Sequence, residues 1–210
     1  ADIAIADGVV TVRWLPDADV GRIVEQAGRL LARGDYATGV PILRGLLAQH
    51  PDHPGLLYNL GMALGDRGEL ADSAALLERL TALRPGDALA WTALGMARAR
   101  AGQRREAAAA FHRSLELQPD EGHAHRNLGG LLVDDAPEEA LAHLRRAAEL
   151  LPEDQAARYG YGVALWRSGA EAAAEEEFIK AIDLDPLSEV AEQARTARRQ
   201  IAHRNMRADG

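Results

Sequence analysis

A proline recurs at nearly constant spacing along this chain, with intervals of 34, 34, 33 and 34 residues. The five prolines are Pro51, Pro85, Pro119, Pro152 and Pro186. A fixed period in this range is typical of solenoids, in which each unit is a helix pair that cannot bury its apolar face alone and stacks on its neighbours. The spacing therefore predicts an all-α chain of repeated helix pairs.

Glycines follow the same period and predict where the two helices of each pair cross. The crossing glycines are Gly61, Gly95, Gly129 and Gly162. Eleven or twelve residues after each glycine comes a small residue, and four residues later comes a large one. The small residues are Ser73, Ala107, Ala140 and Ala174, and the large ones are Leu77, Phe111, Leu144 and Phe178. Because helices approach closely only where neither carries bulk, we expect each large side chain to fill the gap to the next helix.

These offsets resemble the tetratricopeptide repeat, and residues 88–121 carry the family pattern almost in full. The residues at its positions there are Trp91, Leu94, Gly95, Ala107, Phe111 and Pro119. The resemblance implies a right-handed α-solenoid of about five helix-turn-helix repeats. We place the repeats at residues 20–53, 54–87, 88–121, 122–154 and 155–188. The first repeat is the poorest match, since Ala27 stands where the others have the crossing glycine.

Glycines also mark the turn inside four of the repeats. We expect Gly34, Gly68, Gly102 and Gly169 to adopt the left-handed backbone conformation that ends the first helix of each pair. The fourth repeat is one residue shorter and reads Asp134-Asp135-Ala136-Pro137 at this point. We interpret it as a shortened turn, with Pro137 in the first turn of the second helix.

Residues 1–19 precede the repeats and carry the pattern of a short β-hairpin. Asp7-Gly8 favours a two-residue turn between two apolar segments. Folding about this turn places Ile3 opposite Val12 and Ile5 opposite Val10, and Asp17 or Asp19 could then cap the first helix. Because two strands alone are marginal in water, we expect the hairpin to dock on the first repeat, to form a homodimer with a second copy, or to pair with a strand of a partner. The alternative is a disordered leader.

Residues 189–210 are predicted to form a C-terminal capping helix and tail. The apolar side of this helix, which would cover the fifth repeat, consists of Val190, Ala191, Ala194, Ala197 and Ile201. Its arginines complement the negative end of the helix dipole. An alternative interpretation is that they form a patch for an anionic partner.

The composition excludes several functional classes. The formal net charge of −8 argues against nucleic-acid binding, which needs cations to neutralise phosphates. No stretch approaches the roughly 18 consecutive apolar residues of a membrane span, and residues 1–8 lack the basic start of a secretory signal. We therefore expect a cytoplasmic protein without membrane insertion. The heavy use of arginine and alanine, against one lysine, favours a bacterial source.

The sequence contains no recognisable catalytic or metal-binding constellation. His50 and His53 lie in an inter-repeat loop, and His123 and His125 are two residues apart on a helix, so their side chains diverge by about 200°. His125 stands where Trp91 stands in its own repeat, which favours a packing role. Phosphate-binding glycine loops, nucleophile elbows and zinc-protease motifs are missing. We therefore expect no enzymatic activity, no metal and no cofactor.

The family resemblance implies that the first helix of each repeat lines a concave groove that selects the partner. Aromatic and methionine side chains there offer apolar contact, and arginines offer bidentate binding of carboxylates. We therefore expect a protein or peptide partner with an apolar segment and acidic groups. The residues expected to face the groove are Tyr58, Asn59, Met62, Asp66, Thr92, Met96, Arg100, His123, Arg126, Asn127, Asp134, Tyr159, Val163, Trp166 and Arg167.

Asn59 and Asn127 occupy equivalent positions, where asparagines of some family members hydrogen-bond a peptide backbone. The alternative is that they cap local polar groups. The groove lacks lysine, so the resemblance does not extend to the lysine-asparagine clamp that grips a C-terminal carboxylate. Together these features predict a non-catalytic scaffold for protein interactions. The alternative is a regulatory or assembly-chaperone module of a larger enzyme or complex.

Overall fold

The computed structural model describes the backbone of residues 2–6, 9–13 and 20–208, and the side chains of residues 20–204. These residues include eleven α-helices and one antiparallel pair of strands. The strands are β1 Asp2–Ala6 and β2 Val9–Arg13. The helices are α1 Val20–Ala32, α2 Tyr36–Gln49, α3 Pro54–Asp66, α4 Leu70–Leu83, α5 Ala88–Arg100, α6 Arg104–Leu117, α7 Gly122–Leu132, α8 Pro137–Leu150, α9 Gln155–Arg167, α10 Glu171–Leu184 and α11 Glu189–Ala208.

Each of the five predicted repeat ranges contains one pair of helices, from α1 and α2 to α9 and α10. The exact limits of the repeats stay a prediction. Four of the turns inside the pairs contain a glycine with φ between 74° and 85°, as predicted from the sequence. These residues are Gly34, Gly68, Gly102 and Gly169. A side chain is strained in this conformation, so glycine ends the first helix at the lowest steric cost.

The turn of the fourth pair is built differently. Helix α7 ends at Leu132, and the amide of Ala136 donates a 2.8 Å hydrogen bond to the carbonyl of Leu132. Helix α8 then begins at Pro137, which confirms the predicted position of this proline in the first turn. Glu138 and Glu139 follow in the same turn, where the positive end of the helix dipole stabilises their negative charges.

The N-terminal strands pair with Ile3 opposite Val12 and Ile5 opposite Val10. The turn residues and the side chains of residues 1–19 lie outside the part of the chain that the structure describes. Docking of the segment through its apolar face, a homodimer formed by it, and capping of α1 by Asp17 or Asp19 therefore stay predictions.

The chain divides within α6 into two compact units, Ala1–Ala110 and Phe111–Gly210. The first unit buries mainly leucine and alanine, in one cluster that spans α1 to α3 and another that spans α3 to α6. Its largest fully buried side chains include Ile42, Leu43, Leu46, Leu56 and Leu60. In the second unit, a cluster around Phe178 joins α9, α10 and α11.

The helices cross at the predicted glycines within each unit. A β-carbon added to Gly61 would lie 2.8 Å from Leu77 Cγ, and one added to Gly129 would lie 2.6 Å from Leu144 Cγ. At Gly162 the corresponding distance to the ring of Phe178 is 2.7 Å. Real β-carbons essentially never come this close, so the large residue occupies the space that glycine leaves open.

Helix α11 caps the second unit as predicted. Its first turn is held by Ser188, whose hydroxyl accepts a 3.0 Å hydrogen bond from the amide of Ala191. The buried residues Ala191, Ala194, Ala197 and Ile201 form its apolar side. None of the described helices combines the length and apolar character needed to cross a membrane.

Candidate functional site

In the first unit, three polar side chains meet at the C-terminal ends of α3 and α5. Arg100 Nη2 lies 2.8 Å from Asp66 Oδ1, and the hydroxyl of Tyr36 donates to Asp66 Oδ2 over 3.3 Å. The negative charge of Asp66 raises the pKa of Tyr36 above its usual value. Tyr36 belongs to α2 and was not among the residues expected from the sequence. The structure thus brings Asp66 and Arg100 together, but they neutralise each other.

The apolar residues of the first unit that were predicted to face the groove differ in their exposure to solvent. Tyr58 is exposed, whereas Met62 and Met96 are half-buried. Met62 packs against the cluster that contains Leu57 and Leu94. The expectation that Thr92 faces the groove is wrong, because only 4% of this residue is exposed.

The two asparagines bond to their own helices. The amide nitrogen of Asn59 donates to the carbonyl of Gly55, and that of Asn127 donates to the carbonyl of His123, each over 2.7 Å. These bonds support a local capping role for both asparagines. His123 itself is exposed and belongs to the second unit.

The remaining two predicted carboxylate-binding arginines already bind carboxylates of the second unit. Arg126 pairs with Asp154, which also accepts a 2.8 Å hydrogen bond from Ala157 as the N-cap of α9. Arg167 pairs with Asp134. The sequence predicts that these arginines bind carboxylates in the groove, and in the structure each already pairs with a carboxylate of its own unit. An acidic partner would have to replace an internal carboxylate.

A pocket of about 700 Å³ lies between α9 and α11. Its α9 wall consists of Tyr159, Val163, Trp166 and Arg167, four residues that were predicted to face the groove. They are spaced by four, three and one positions, so they form one face of the helix. The ring of Tyr159 also packs on Phe178, with 5.8 Å between centroids, and burial raises the pKa of its hydroxyl.

Helix α11 supplies the opposite wall of this pocket, which sequence reasoning missed. The lining residues from α11 are Glu189, Glu192, Gln193, Thr196, Ala197, Gln200 and Arg204. Hydrogen bonds from Arg199, and to a smaller extent from Arg195, lower the pKa of Glu192. Arg204 pairs with Glu171 of α10. The signal for this wall was the repeat period itself, since α11 begins 34 residues after α9 and stands where a sixth first helix would stand.

In three repeats, the fourth residue of the first helix makes the same hydrogen bond. The side chains of Trp91, His125 and Arg158 each donate to the carbonyl of the periodic proline six residues earlier. The distances are 3.0 Å from Trp91 Nε1 to Pro85, 2.9 Å from His125 Nε2 to Pro119, and 3.2 Å from Arg158 Nε to Pro152. His125 is thus a packing residue equivalent to Trp91, as predicted.

His125 has a second contact that the sequence did not reveal. Its Nδ1 lies 2.8 Å from Nδ1 of His143 in α8, and the two rings are tilted by 44°. Burial, and then the neighbouring His125, lower the pKa of His143. Within the described residues, no group of three or more histidine and acidic side chains is arranged to hold a metal ion.

The histidines of the inter-repeat loop have structural contacts. His53 is the N-cap of α3, and its Nδ1 accepts a hydrogen bond from the amide of Leu56 over 3.4 Å. Asp52 beside it pairs with Arg79 over 2.7 Å.

Comparison with solved structures shows the same all-α solenoid fold in other proteins. TTC0263, a thermophilic protein from Thermus thermophilus, matches with a TM-score of 0.73 and 17% identity, over 84% of this chain and 97% of that one. MamA from Desulfovibrio magneticus RS-1, residues 41 to the end, matches with a TM-score of 0.62 and 22% identity, over 82% and 98%. YrrB, described as having an unusual peptide-binding site, matches with a TM-score of 0.57 and 20% identity, over 85% and 92%.

Matches to models of protein families identify the family of this chain. No curated protein matches the chain. Three models, each described as a tetratricopeptide repeat, match residues 30–97, 88–121 and 134–189. These matches cover both units and agree with the period, the crossing glycines and the helix pairs. The chain is therefore a member of the tetratricopeptide repeat family.

Proposed function

We propose that this chain is a non-catalytic scaffold that binds a peptide or protein segment, with the main contact in the pocket between α9 and α11. The pocket carries the proposal, because it gathers Tyr159, Val163 and Trp166 on one wall. Amphipathic aromatic side chains of this kind supply much of the energy of protein interfaces. The fold shared with YrrB, whose described feature is a peptide-binding site, is in line with this role.

The partner segment would combine an apolar side chain with an acidic group. The apolar side chain would pack on Trp166, and the acid would replace Asp134 as the partner of Arg167. This exchange costs little, because 64% of the Asp134 side chain and 46% of the Arg167 side chain are exposed, and exposed ion pairs contribute only about 0–1 kcal/mol. A protein partner and a cytoplasmic location stay predictions from the sequence.

The proposal can be tested with peptides selected from a display library on the full chain. Calorimetry with a selected peptide should show that Trp166→Ala weakens binding by at least about 2 kcal/mol, the range of an interface hot spot. Ile179→Ala is the matched control, since Ile179 is a 40% exposed apolar residue of α10 outside the pocket. It should change binding by less than about 0.5 kcal/mol. Equal affinity of the folded Trp166 variant and the wild type would exclude this pocket.

A second comparison tests the acidic group. Arg167→Ala should weaken an acidic peptide but not its amide analogue, because only the former can take the place of Asp134. If both peptides bind Arg167→Ala as they bind the wild type, the partner does not use this arginine.

A further inference from the structure

We propose that His125 and His143 form a two-histidine site for a zinc-type divalent metal ion, which fastens α7 to α8 in the fourth repeat. The two Nδ1 atoms converge at 2.8 Å from adjacent helices, 18 residues apart in sequence. This site is independent of the peptide pocket.

The hydrogen bonds around His125 determine which of its nitrogens is available. Its Nε2 lies 2.9 Å from the carbonyl of Pro119, which can only accept a hydrogen bond. The proton of the neutral ring is therefore on Nε2, and the lone pair of Nδ1 points at His143. A histidine that donates its outer nitrogen to a backbone carbonyl is oriented as metal-binding histidines are.

His143 has the corresponding acceptor on its outer side. Its Nε2 lies 3.7 Å from a carboxylate oxygen of Glu139, on the preceding turn of α8. Without metal, the His143 proton on Nδ1 bridges the two rings. When metal replaces that proton between the Nδ1 atoms, the proton moves to Nε2, where Glu139 attracts it. The site can thus exchange a bridging proton for a cation without changing the net protonation of the pair.

The geometry requires only a small movement. Zinc-nitrogen bonds of about 2.0–2.1 Å at a tetrahedral angle place two nitrogens roughly 3.3 Å apart, so the rings would separate by about 0.5 Å. Both residues are half-buried and reachable from solvent, and 18% of the His143 side chain is exposed. Water would supply the other ligands. Imidazole suits zinc, copper and nickel but not magnesium.

The position of the site gives such an ion a structural consequence. It bridges the two helices of the repeat whose turn, Asp134-Asp135-Ala136-Pro137, lacks the left-handed glycine found in the other four. A ligand that binds only the folded state raises its stability. Metal binding would therefore stabilise the fourth repeat.

The test is calorimetric titration of the full chain with zinc chloride at neutral pH, with magnesium chloride as the negative probe. We expect zinc to bind the wild type and His123→Gln equally. His123 is exposed and lies two residues before His125, so its side chain is on a different face of α7. His143→Gln and His125→Gln should each weaken zinc binding at least about ten-fold, and Glu139→Ala should weaken it by about ten-fold. Zinc should also raise the melting temperature of the wild type but not that of His143→Gln.

A measurement on the wild type makes the test independent of variant folding. Nitrogen NMR of the imidazoles should show zinc moving the Nδ1 resonances of His125 and His143, and the His143 proton shifting to Nε2. The proposal is overturned if the wild type and the two ligand variants bind zinc alike. It is equally overturned if zinc moves the resonances of other histidines and leaves these two unchanged.

Discussion

Asp66 and Arg100 lie 34 residues apart, and their side chains form an ion pair of 2.8 Å. They are the last residues of α3 and α5, so the pair joins equivalent ends of successive first helices. In the second unit, Asp134 follows α7 and pairs with Arg167 at the end of α9 in the same manner. Opposite charges one repeat apart are therefore paired within each unit.

Asp66→Asn should lower the pKa of Tyr36 toward its ordinary value of about 10. The charge of Asp66 is the main reason that the tyrosine holds its proton more tightly. Because the pKa of Tyr36 is raised in the folded state, the contact of the protonated hydroxyl with Asp66 stabilises the fold fully below about pH 10. This stabilisation is lost as the pH rises through the folded-state pKa.

The measurement for this variant is the absorbance of tyrosinate as the pH is raised, with Tyr36→Phe used to assign the signal among the four tyrosines. The unfolding free energy near neutral pH should change by less than about 1 kcal/mol, since the ion pair is exposed. An unchanged Tyr36 titration would show that the contact with Asp66 is not formed in solution.

Gly129→Ala should destabilise the protein by about 1–3 kcal/mol, the range found for overpacked positions. The new β-carbon would lie 2.6 Å from Leu144 Cγ and 3.2 Å from the backbone oxygen of Ala140, so α7 and α8 would have to separate. The adjacent Gly130 is the matched control, because a β-carbon there meets no atom within 4 Å.

Gly130→Ala should instead stabilise the helix by about 0.5–1 kcal/mol through the lower backbone entropy of alanine. Urea denaturation of both variants measures the difference. The same sign for the two substitutions would contradict the close crossing at Gly129.

Asp154→Ala should cost about 2 kcal/mol, because it removes both the N-cap of α9 and the partner of the half-buried Arg126. Asp154→Asn keeps the capping acceptor and removes only the charge, so its loss should be about half as large. Chemical denaturation separates the two effects. Equal losses in both variants would mean that the cap contributes nothing measurable.

Trp91→Ala should cost about 3 kcal/mol, near the lower end for a large core residue, because the ring is only half-buried against its cluster. Trp91→Phe retains most of the ring contact but loses the hydrogen bond to Pro85, for which we expect about 1 kcal/mol. Denaturant unfolding followed by circular dichroism measures both values. A change below about 0.5 kcal/mol for the alanine variant would place the ring on the surface.

The sequence alone determined the helix pairs, their turns and their crossings. The left-handed conformation of Gly68 is a steric requirement of the local chain, and the pairing of Gly61 with the large Leu77 recurs with the fixed period. The period also carried a signal for the Asp66–Arg100 pair, since its partners stand one repeat apart.

Only the tertiary structure decided which side chains meet. Thr92 and the half-buried Met96 lie one helical turn apart, yet Thr92 is buried, because the packing of neighbouring helices sets how far each face is covered. The wall that α11 adds to the pocket beside Trp166, and the meeting of His125 with His143, have the same origin. Such contacts depend on distances between separate helices, which a repeat period constrains only for positions that recur in every repeat.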